Sequence, residues 1–502
     1  MKSSTEIPLL NFIKINKYST TPIYLQIANQ LSNAIQRNYI PKGTKLLGTR
    51  KLSELLHINR NTVVAAYQEL EAQGWIITEA NRGSYTCDKI KNKPEKLKAT
   101  DNTLIEAYPN QSGFSFNRSN ILDTPYEKVN TTYFFTDGTP DNRIIQLSQL
   151  SSFYSASMKR KNNKKRLNSN SYESNTFFLE NMVNYLNISR GLQISTSNIL
   201  ITNSSEMSIY IASEVLLNAG DKVIVADLSY FSSNMTFQNK QANVLTVPVD
   251  QQGIDVDAIE KLCEKHTVRL LYITPHHHYP TTSTLSAQRR VKLLNLSNQY
   301  GFIILEDDYD YEFHYESTPL LPLASSDKKG MVVYTGTLGL SLIPGFKLGF
   351  IIAPKNVIQE MRKHLNVINP KGDILLQQVL GELIDEGEIN RYLKKSLKVY
   401  TERRNQFCDL LERYFGEAVS FQVPSGGLAV WTLWKKGINL LNLKKKALDK
   451  NLFIPKTILY QNKDITAMRL GFGHLDKEEM EVTISLLHQS MLELEVEKNT
   501  TI

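Results

Sequence analysis

Apolar positions return at helical spacing along "PIYLQIANQLSNAIQ", where Ile23, Ile27, Leu31 and Ile35 form one stripe. The run "PKGTKL" breaks it, with Pro41 and Gly43 as turn residues. "TRKLSELLH" predicts a short helix capped by Thr49. "INRNTVVAAYQELEAQG" predicts another, with Val63, Val64, Tyr67 and Leu70 inward and Gly74 at its end. "WIITEANRGSYTCD" then reads as two short strands around the turn Asn81–Gly83. Three helices followed by a hairpin is the plan of a winged helix-turn-helix, an α+β unit.

The pattern fades over residues 88–130, which are polar, rich in Lys and Asn and without sustained periodicity; they predict a flexible linker. A second polar run, Lys159–Asn175, predicts a basic surface loop. Beyond it, short apolar runs alternate with helical stretches. The runs are "NILIT", "KVIVAD", "ANVLTVPV", "VRLLYIT", "FIILED", "MVVYTG" and "GFIIAP". Such alternation predicts an α/β domain on a mostly parallel sheet, with ligand groups gathered at the carboxyl ends of its strands.

Composition changes this picture little, and charge changes it more. A chain of 502 residues with 41% hydrophobic and 22% charged positions is ordinary for a soluble protein of more than one domain. No apolar run approaches the roughly 18–20 residues that span a bilayer, and the N-terminus does not read as a signal peptide. Three scattered cysteines, Cys87, Cys263 and Cys408, predict neither a disulfide framework nor a zinc motif, in keeping with the cytoplasm. Residues 1–100 hold fifteen Lys/Arg and seven Asp/Glu, which accounts for the whole net charge of +8. An excess confined to one end implies an anionic partner for that end.

The polar residues there fit double-stranded DNA. Asn59, Arg60, Asn61 and Thr62 fall at the start of the expected recognition helix, whose first residues read bases. Arg50 opens the preceding helix, within reach of phosphate. Arg82 and Gly83 occupy the wing tip. Taken singly, each reads rather as an ordinary capping or solvated residue; it is the set, with its charge bias, that points to DNA. The stretch "GTKLLGTRKLSELLHINRNTVVAAYQELEAQGWI" resembles the GntR-type winged helix, including the Arg opening its second helix and the "RNTV" opening its third.

The strand ends of the long remainder read "TNSSEM", "ADLSYF", "TPHHHYPTT", "EDDYDYEF" and "TGTLGLSLIPGFKLGF". In this order they resemble the class I aminotransferase fold of pyridoxal 5'-phosphate (PLP) enzymes. A GntR winged helix ahead of such a domain is similar to the MocR/GabR family of bacterial regulators. The domains expected are 18–87 for the winged helix, 88–130 for the linker, and 131–495 for the aminotransferase-like part with its large and small subdomains.

That resemblance assigns roles. Asp307 matches the carboxylate facing the pyridinium nitrogen, Tyr309 the tyrosine near the ring hydroxyl, and Tyr230 the aromatic that stacks on the ring. Arg469 in "MRLGFG" matches the arginine that clamps a carboxylate. Ser204 and Ser205 occupy the phosphate turn, but Glu206 follows them and sets a negative charge near a phosphate unless it turns away. Thr282 replaces a glycine, and Lys347 stands where the family has a phosphate-binding arginine. The family loop reads Gly-Thr-Phe-Ser-Lys-x-Leu-x-Pro-x-x-Arg-x-Gly. Laid on "GTLGLSLIPGFKLG", its Schiff-base lysine falls on Leu340, and serine has become Gly339.

Leucine cannot form an imine or move an α-proton. No covalent aldimine is therefore expected, and no catalytic residue. The histidines His276–His278 invite a metal reading, but consecutive extended residues point to opposite faces, and no metal site is expected. Two functions compete. One is a DNA-binding regulator whose degenerate aminotransferase-like domain dimerises the chain and senses a carboxylate or amino-acid effector, or PLP held without a covalent bond. The other is a working aminotransferase with a DNA-binding appendage.

Overall fold

The computed structural model describes residues 13, 15–16, 21–37, 39–79, 82–87, 111–144, 147–161, 163, 175–315, 320–338, 348–370 and 372–500. Gly339, Leu340 and Lys347 lie outside them, as do Asn81 of the expected turn, positions 88–110 of the expected linker and 164–174 of the expected basic loop. The chain divides into two compact units, Met1–Tyr126 with Gln461–Asp464, and Glu127–Tyr460 with Ile465–Ile502.

In the first unit, α1 (Ile23–Gln36), α2 (Thr49–Leu56) and α3 (Arg60–Ala72) precede a hairpin of β1 (Ile76–Glu79) and β2 (Gly83–Thr86). Ile27, Leu31 and Ile35 of α1 are buried as the spacing requires, with Ile23 half-buried. On α3 the inward stripe is Val63, Ala66, Tyr67 and Leu70, while Val64 sits half-buried to one side. Gly74 takes φ +77° just past the end of α3, where a glycine costs least. The expected cap at Thr49 is not found: Gly48 precedes the helix, and no side chain caps it. The Thr49 hydroxyl instead accepts from Arg60 Nε at 3.4 Å, tying the start of α2 to the start of α3. β1 and β2 pair antiparallel from Ile76–Thr86 to Glu79–Gly83, and Lys45 bridges to Tyr85 as an added rung.

The second unit carries the alternation read from the sequence. After α4 (Thr176–Arg190) come β3 (Ile199–Thr202), α5 (Ser205–Leu216), β4 (Lys222–Ala226), α6 (Phe231–Asn239), β5 (Asn243–Val247), β6 (Leu270–Ile273), α7 (Ala287–Tyr300), β7 (Ile303–Asp308), β8 (Val332–Leu338) and β9 (Leu348–Ile352). The seven strands form one sheet in the order β3-β9-β8-β7-β6-β4-β5. All neighbours are parallel except β9, which runs against both β8 and β3. β3, β6, β8 and β9 are buried at every position, as a sheet covered on both faces demands. The expected strand "ANVLTVPV" is cut at Pro248, which has no N–H for a ladder; Val249–Asp250 forms a separate small hairpin with Gly253–Ile254.

A long helix, α8 (Glu388–Phe415), leads to a second, antiparallel sheet containing β10 (Val419–Phe421), β11 (Ala429–Trp434) and β12 (Thr466–Gly471). Its core includes Phe407, Val430, Met468, Leu470 and Phe472. Among the described residues no helix is long and apolar enough to cross a membrane.

Candidate functional sites

The first site is the polar end of the winged helix. Asn59 caps α3, its side-chain oxygen accepting from the Asn61 backbone N–H at 2.8 Å. That bond orients the first turn of α3, where Asn59, Arg60 and Asn61 are exposed and Thr62 half-buried. Arg50, one residue into α2, is exposed as well. Because Arg60 reaches Thr49, the starts of the two helices share one surface. Tyr67 holds the α2 entry from below, its hydroxyl donating to Leu47 O at 2.7 Å. At the wing, Gly83 takes φ +110°, a backbone region open to glycine. Arg82 stays largely in solvent and lies 3.6 Å from Glu79. Lys45 was not singled out from the sequence, yet its ammonium lies 5.8 Å from the Tyr85 ring beside this wing.

The second site is a cavity at the carboxyl ends of β6, β7 and β8, lined by Asp137, Gly138, Ser204, Ser205, Glu206, Tyr230, Tyr272, Thr274, Tyr279, Asp307, Tyr309 and Thr337 among others. The "EDDYD" run reaches it by strand alternation. Asp307 faces the cavity, accepting from Tyr272 Oη at 2.7 Å and Thr335 Oγ1 at 3.4 Å. Burial pushes its carboxyl up to about 7; the charges of Asp308 and Glu206 add to that, and the two hydroxyl bonds oppose it.

Asp308 points the other way, into a buried cluster. It accepts from Tyr334 Oη at 2.8 Å and lies 3.3 Å from His276 Nδ1 and 4.0 Å from Arg190 Nη1. Burial would raise Asp308, but the charges of His276 and Arg190 with the Tyr334 bond outweigh it and hold the carboxyl down at about 2. Arg190 is fully buried, pairs with Glu312 at 2.6 Å and stacks over Tyr311.

Arg469 comes from β12 and is almost wholly buried. Its Nε donates to Asp137 O at 2.8 Å, Nη1 to Pro280 O at 2.9 Å and Nη2 to Tyr309 Oη at 3.2 Å. The guanidinium also lies 4.8 Å from the Tyr279 ring centre. It therefore stands behind Tyr279 and Tyr309, holding both. Tyr309 in turn donates to His277 O at 2.9 Å. Tyr230 packs edge-on against Tyr279 at 5.1 Å.

The three histidines diverge. His276 bonds Leu320 O, His277 meets Asp310 at 2.9 Å, and His278 meets the Thr281 hydroxyl at 2.9 Å. Burial, with the Arg469 charge, drives His278 down to about 3, so it stays neutral. Thr282, where the resemblance expects glycine, has φ +59°.

Ser204 and Ser205 open α5. Ser204 Oγ is occupied as its cap, accepting from Met207 N–H at 3.2 Å. Gly349 of β9 packs so closely there that a Cβ would come 2.4 Å from Ser204 O. A helix start of this kind suits an anion. Glu206 occupies its first turn, however, lines the cavity and acts on Asp307 across it. Tested against PLP, the ring end fits: a buried carboxylate, two tyrosines and a flat aromatic lining. The phosphate end does not, because among the described residues it presents a carboxylate to a dianion.

Sequence reasoning missed Tyr272 and Tyr279. The signal for Tyr272 is a lone tyrosine near the end of the aliphatic strand "LLYIT"; it pairs opposite Leu305, two residues before Asp307. Tyr279 lay in view within "HHHYPTT", where the histidines drew the attention.

Comparison with known proteins accords with this geometry. Residues 141–486 match the family described as aminotransferase class I and II, and residues 23–85 match the bacterial regulatory proteins of the gntR family. The HTH-type transcriptional regulator YdfD of Bacillus subtilis is 27% identical over 97% of this chain and 99% of its own. The probable rhizopine catabolism regulatory protein MocR of Rhizobium meliloti is 21% identical over 96% of each chain. Among solved structures, an archaeal alanine:glyoxylate aminotransferase is 25% identical with a TM-score of 0.67, covering 72% of this chain and 91% of its own. LysN, the alpha-aminoadipate aminotransferase of Thermus thermophilus, complexed with N-(5'-phosphopyridoxyl)-L-leucine, shares the fold at 22% identity and TM-score 0.66, over 72% of this chain and 92% of its own. This chain belongs to the aminotransferase class I and II family and, with its gntR-type winged helix in front, to the MocR-type fusion of the two.

Proposed function

We propose that the protein is a DNA-binding transcriptional regulator whose aminotransferase-like unit pairs two copies and senses a small molecule without performing transamination. The observation that carries this is the exposed polar end of the winged helix. There Arg60 joins the starts of α2 and α3, and Arg50, Asn59 and Asn61 stand in solvent with Thr62 beside them. Arg and Asn there supply paired donors for base edges, Arg50 and the helix start meet phosphate, and Arg82 with Gly83 enters the adjoining groove. A two-fold dimer presents two such surfaces to paired half-sites. The match to regulators along nearly the full chain supports the same reading.

Loss of catalysis rests on the sequence: Leu340 occupies the lysine position of the family loop, and the charge balance at Glu206 disfavours a phosphate. The cavity then serves reversible binding. An effector carboxylate would have to reach Arg469 from behind Tyr279 and Tyr309, where three of its five N–H groups already hold Asp137, Pro280 and Tyr309.

Fluorescence anisotropy with the protein's own upstream DNA tests the regulator. Specific binding should weaken in Arg60→Ala, and unaltered affinity and salt dependence in both Arg60→Ala and Arg82→Ala would refute the assignment. For catalysis, an amino-acid and keto-acid panel should give no turnover. Turnover that vanishes in Lys347→Ala would show that Lys347 has taken over the missing lysine's role.

A further inference from the structure

The cavity's two ends disagree about the ligand the fold was shaped for, and that disagreement defines what it accepts now. At the floor, Asp307 is buried and takes hydrogen bonds from two neutral hydroxyls, those of Tyr272 and Thr335. A carboxylate has about four lone-pair sites, so it can accept another donor. The charges acting on it most strongly are those of Asp308 and Glu206, both negative. A cationic N–H is the donor such a group favours.

The walls are aromatic. Tyr230, Tyr279 and Tyr309 meet edge to face at 5.1 and 6.3 Å, a lining for a flat ring. The Tyr279 hydroxyl is a second, independent pointer. Its residue lines the cavity and is only 6% exposed, and the hydroxyl has no hydrogen-bond partner among the described residues. A buried hydroxyl left this way is costly, and a ligand's polar substituent can satisfy it. At the mouth, Glu206 lies in the first turn of α5, exposed and lining the cavity, so its charge opposes a phosphate at that helix start. We propose that this cavity binds a flat, protonated nitrogen heterocycle that carries no phosphate group. The proposal rests on reading the cavity as an effector pocket and is independent of DNA binding.

The probes are pyridoxamine and pyridoxamine 5'-phosphate, which share a ring and differ in the phosphate. Both carry an amine in place of an aldehyde, so neither forms an imine with lysine side chains. Calorimetry at low salt, where charge repulsion is least screened, should show the unphosphorylated compound binding about tenfold or more tightly than its phosphate. Glu206→Gln changes an exposed side chain and should narrow that gap by improving the phosphate. Asp307→Asn should weaken pyridoxamine about tenfold or more, and Tyr279→Phe by a smaller factor. Equal or tighter binding of the phosphate overturns the proposal, as does absence of pyridoxamine binding or indifference to both Glu206→Gln and Asp307→Asn. DNA anisotropy on the wild-type protein in the same buffer separates the failures. Lost DNA binding with intact ligand preference would sink the regulator alone, and the reverse would sink the pocket alone.

Discussion

The two polar sites of this molecule treat their arginines in opposite ways. Arg60 and Arg82 are exposed, the one touching a hydroxyl at 3.4 Å and the other a glutamate at 3.6 Å, and both keep most donors turned to solvent. Arg469 is buried and tied to two backbone carbonyls and a tyrosine. An exposed guanidinium costs the fold little to keep and stays available to a partner. A caged one has become part of the fold, whatever it once served. The same contrast runs through the carboxylates. Glu79 at the wing is exposed, whereas Asp307 and Asp308 are buried neighbours pushed in opposite directions, the first up to about 7 and the second down to about 2.

The sharpest break of this comparison is Arg469→Ala. It strands two backbone acceptors and Tyr309 and opens a cavity. It should destabilise the second unit by about 3–5 kcal/mol, read by chemical denaturation, with the unfolding of the winged helix little changed. A small effect would mean that Arg469 is held for a ligand and not for the fold. Next, Arg60→Ala should cost about 1–3 kcal/mol of specific DNA affinity with thermal stability unchanged. Arg82→Ala should weaken binding evenly across sequences and lower the salt slope by about one.

Acidity sharpens the contrast within the buried site. Asp307 has a raised pKa, so its contribution to stability is fully present below the ordinary carboxylate range and is lost as pH rises through about 7. Asp307→Asn should gain in melting temperature relative to the parent from pH 4 to about 8. Asp308 behaves oppositely: its contribution is present above the ordinary range and lost as pH falls toward about 2. The Asp308→Asn penalty should therefore shrink in acid, measured by the same melting curves. The smallest effect belongs to Thr282. A β-branched residue at φ +59° is strained, and Thr282→Gly should stabilise by about 0.5–1 kcal/mol in denaturant titrations.

Much of the fold was legible because its signals are local. The stripe Ile27–Leu31–Ile35 and the aliphatic strand runs declare their periods without help from distant residues. What was hidden depends on the third dimension. That Thr49 would trade its capping place for Arg60 is a side-chain contact eleven residues away, and the pairing of Val249–Asp250 with Gly253–Ile254 beyond Pro248 is a partner the run "ANVLTVPV" does not reveal. Asp307 and Tyr309 were assigned from the resemblance of the "EDDYD" run, and both line the cavity. Arg469 was read into a clamp, but its cage of carbonyls from Asp137 and Pro280 comes from segments far apart in the chain.

The placing of the tryptophans gives the molecule an optical consequence. Of the three in the chain, Trp75 is buried in the winged helix, while Trp431 and Trp434 lie on β11 of the small sheet. Trp431 sits across the strand pair from Arg469 and packs its ring 4.9 Å from Tyr460. A Trp75→Phe protein therefore emits from the sheet that carries Arg469 alone, and a protein with both Trp431 and Trp434 replaced by Phe emits from the winged helix alone. The melting of the small sheet and the melting of the winged helix can then be followed separately by tryptophan emission from two unlabelled variants.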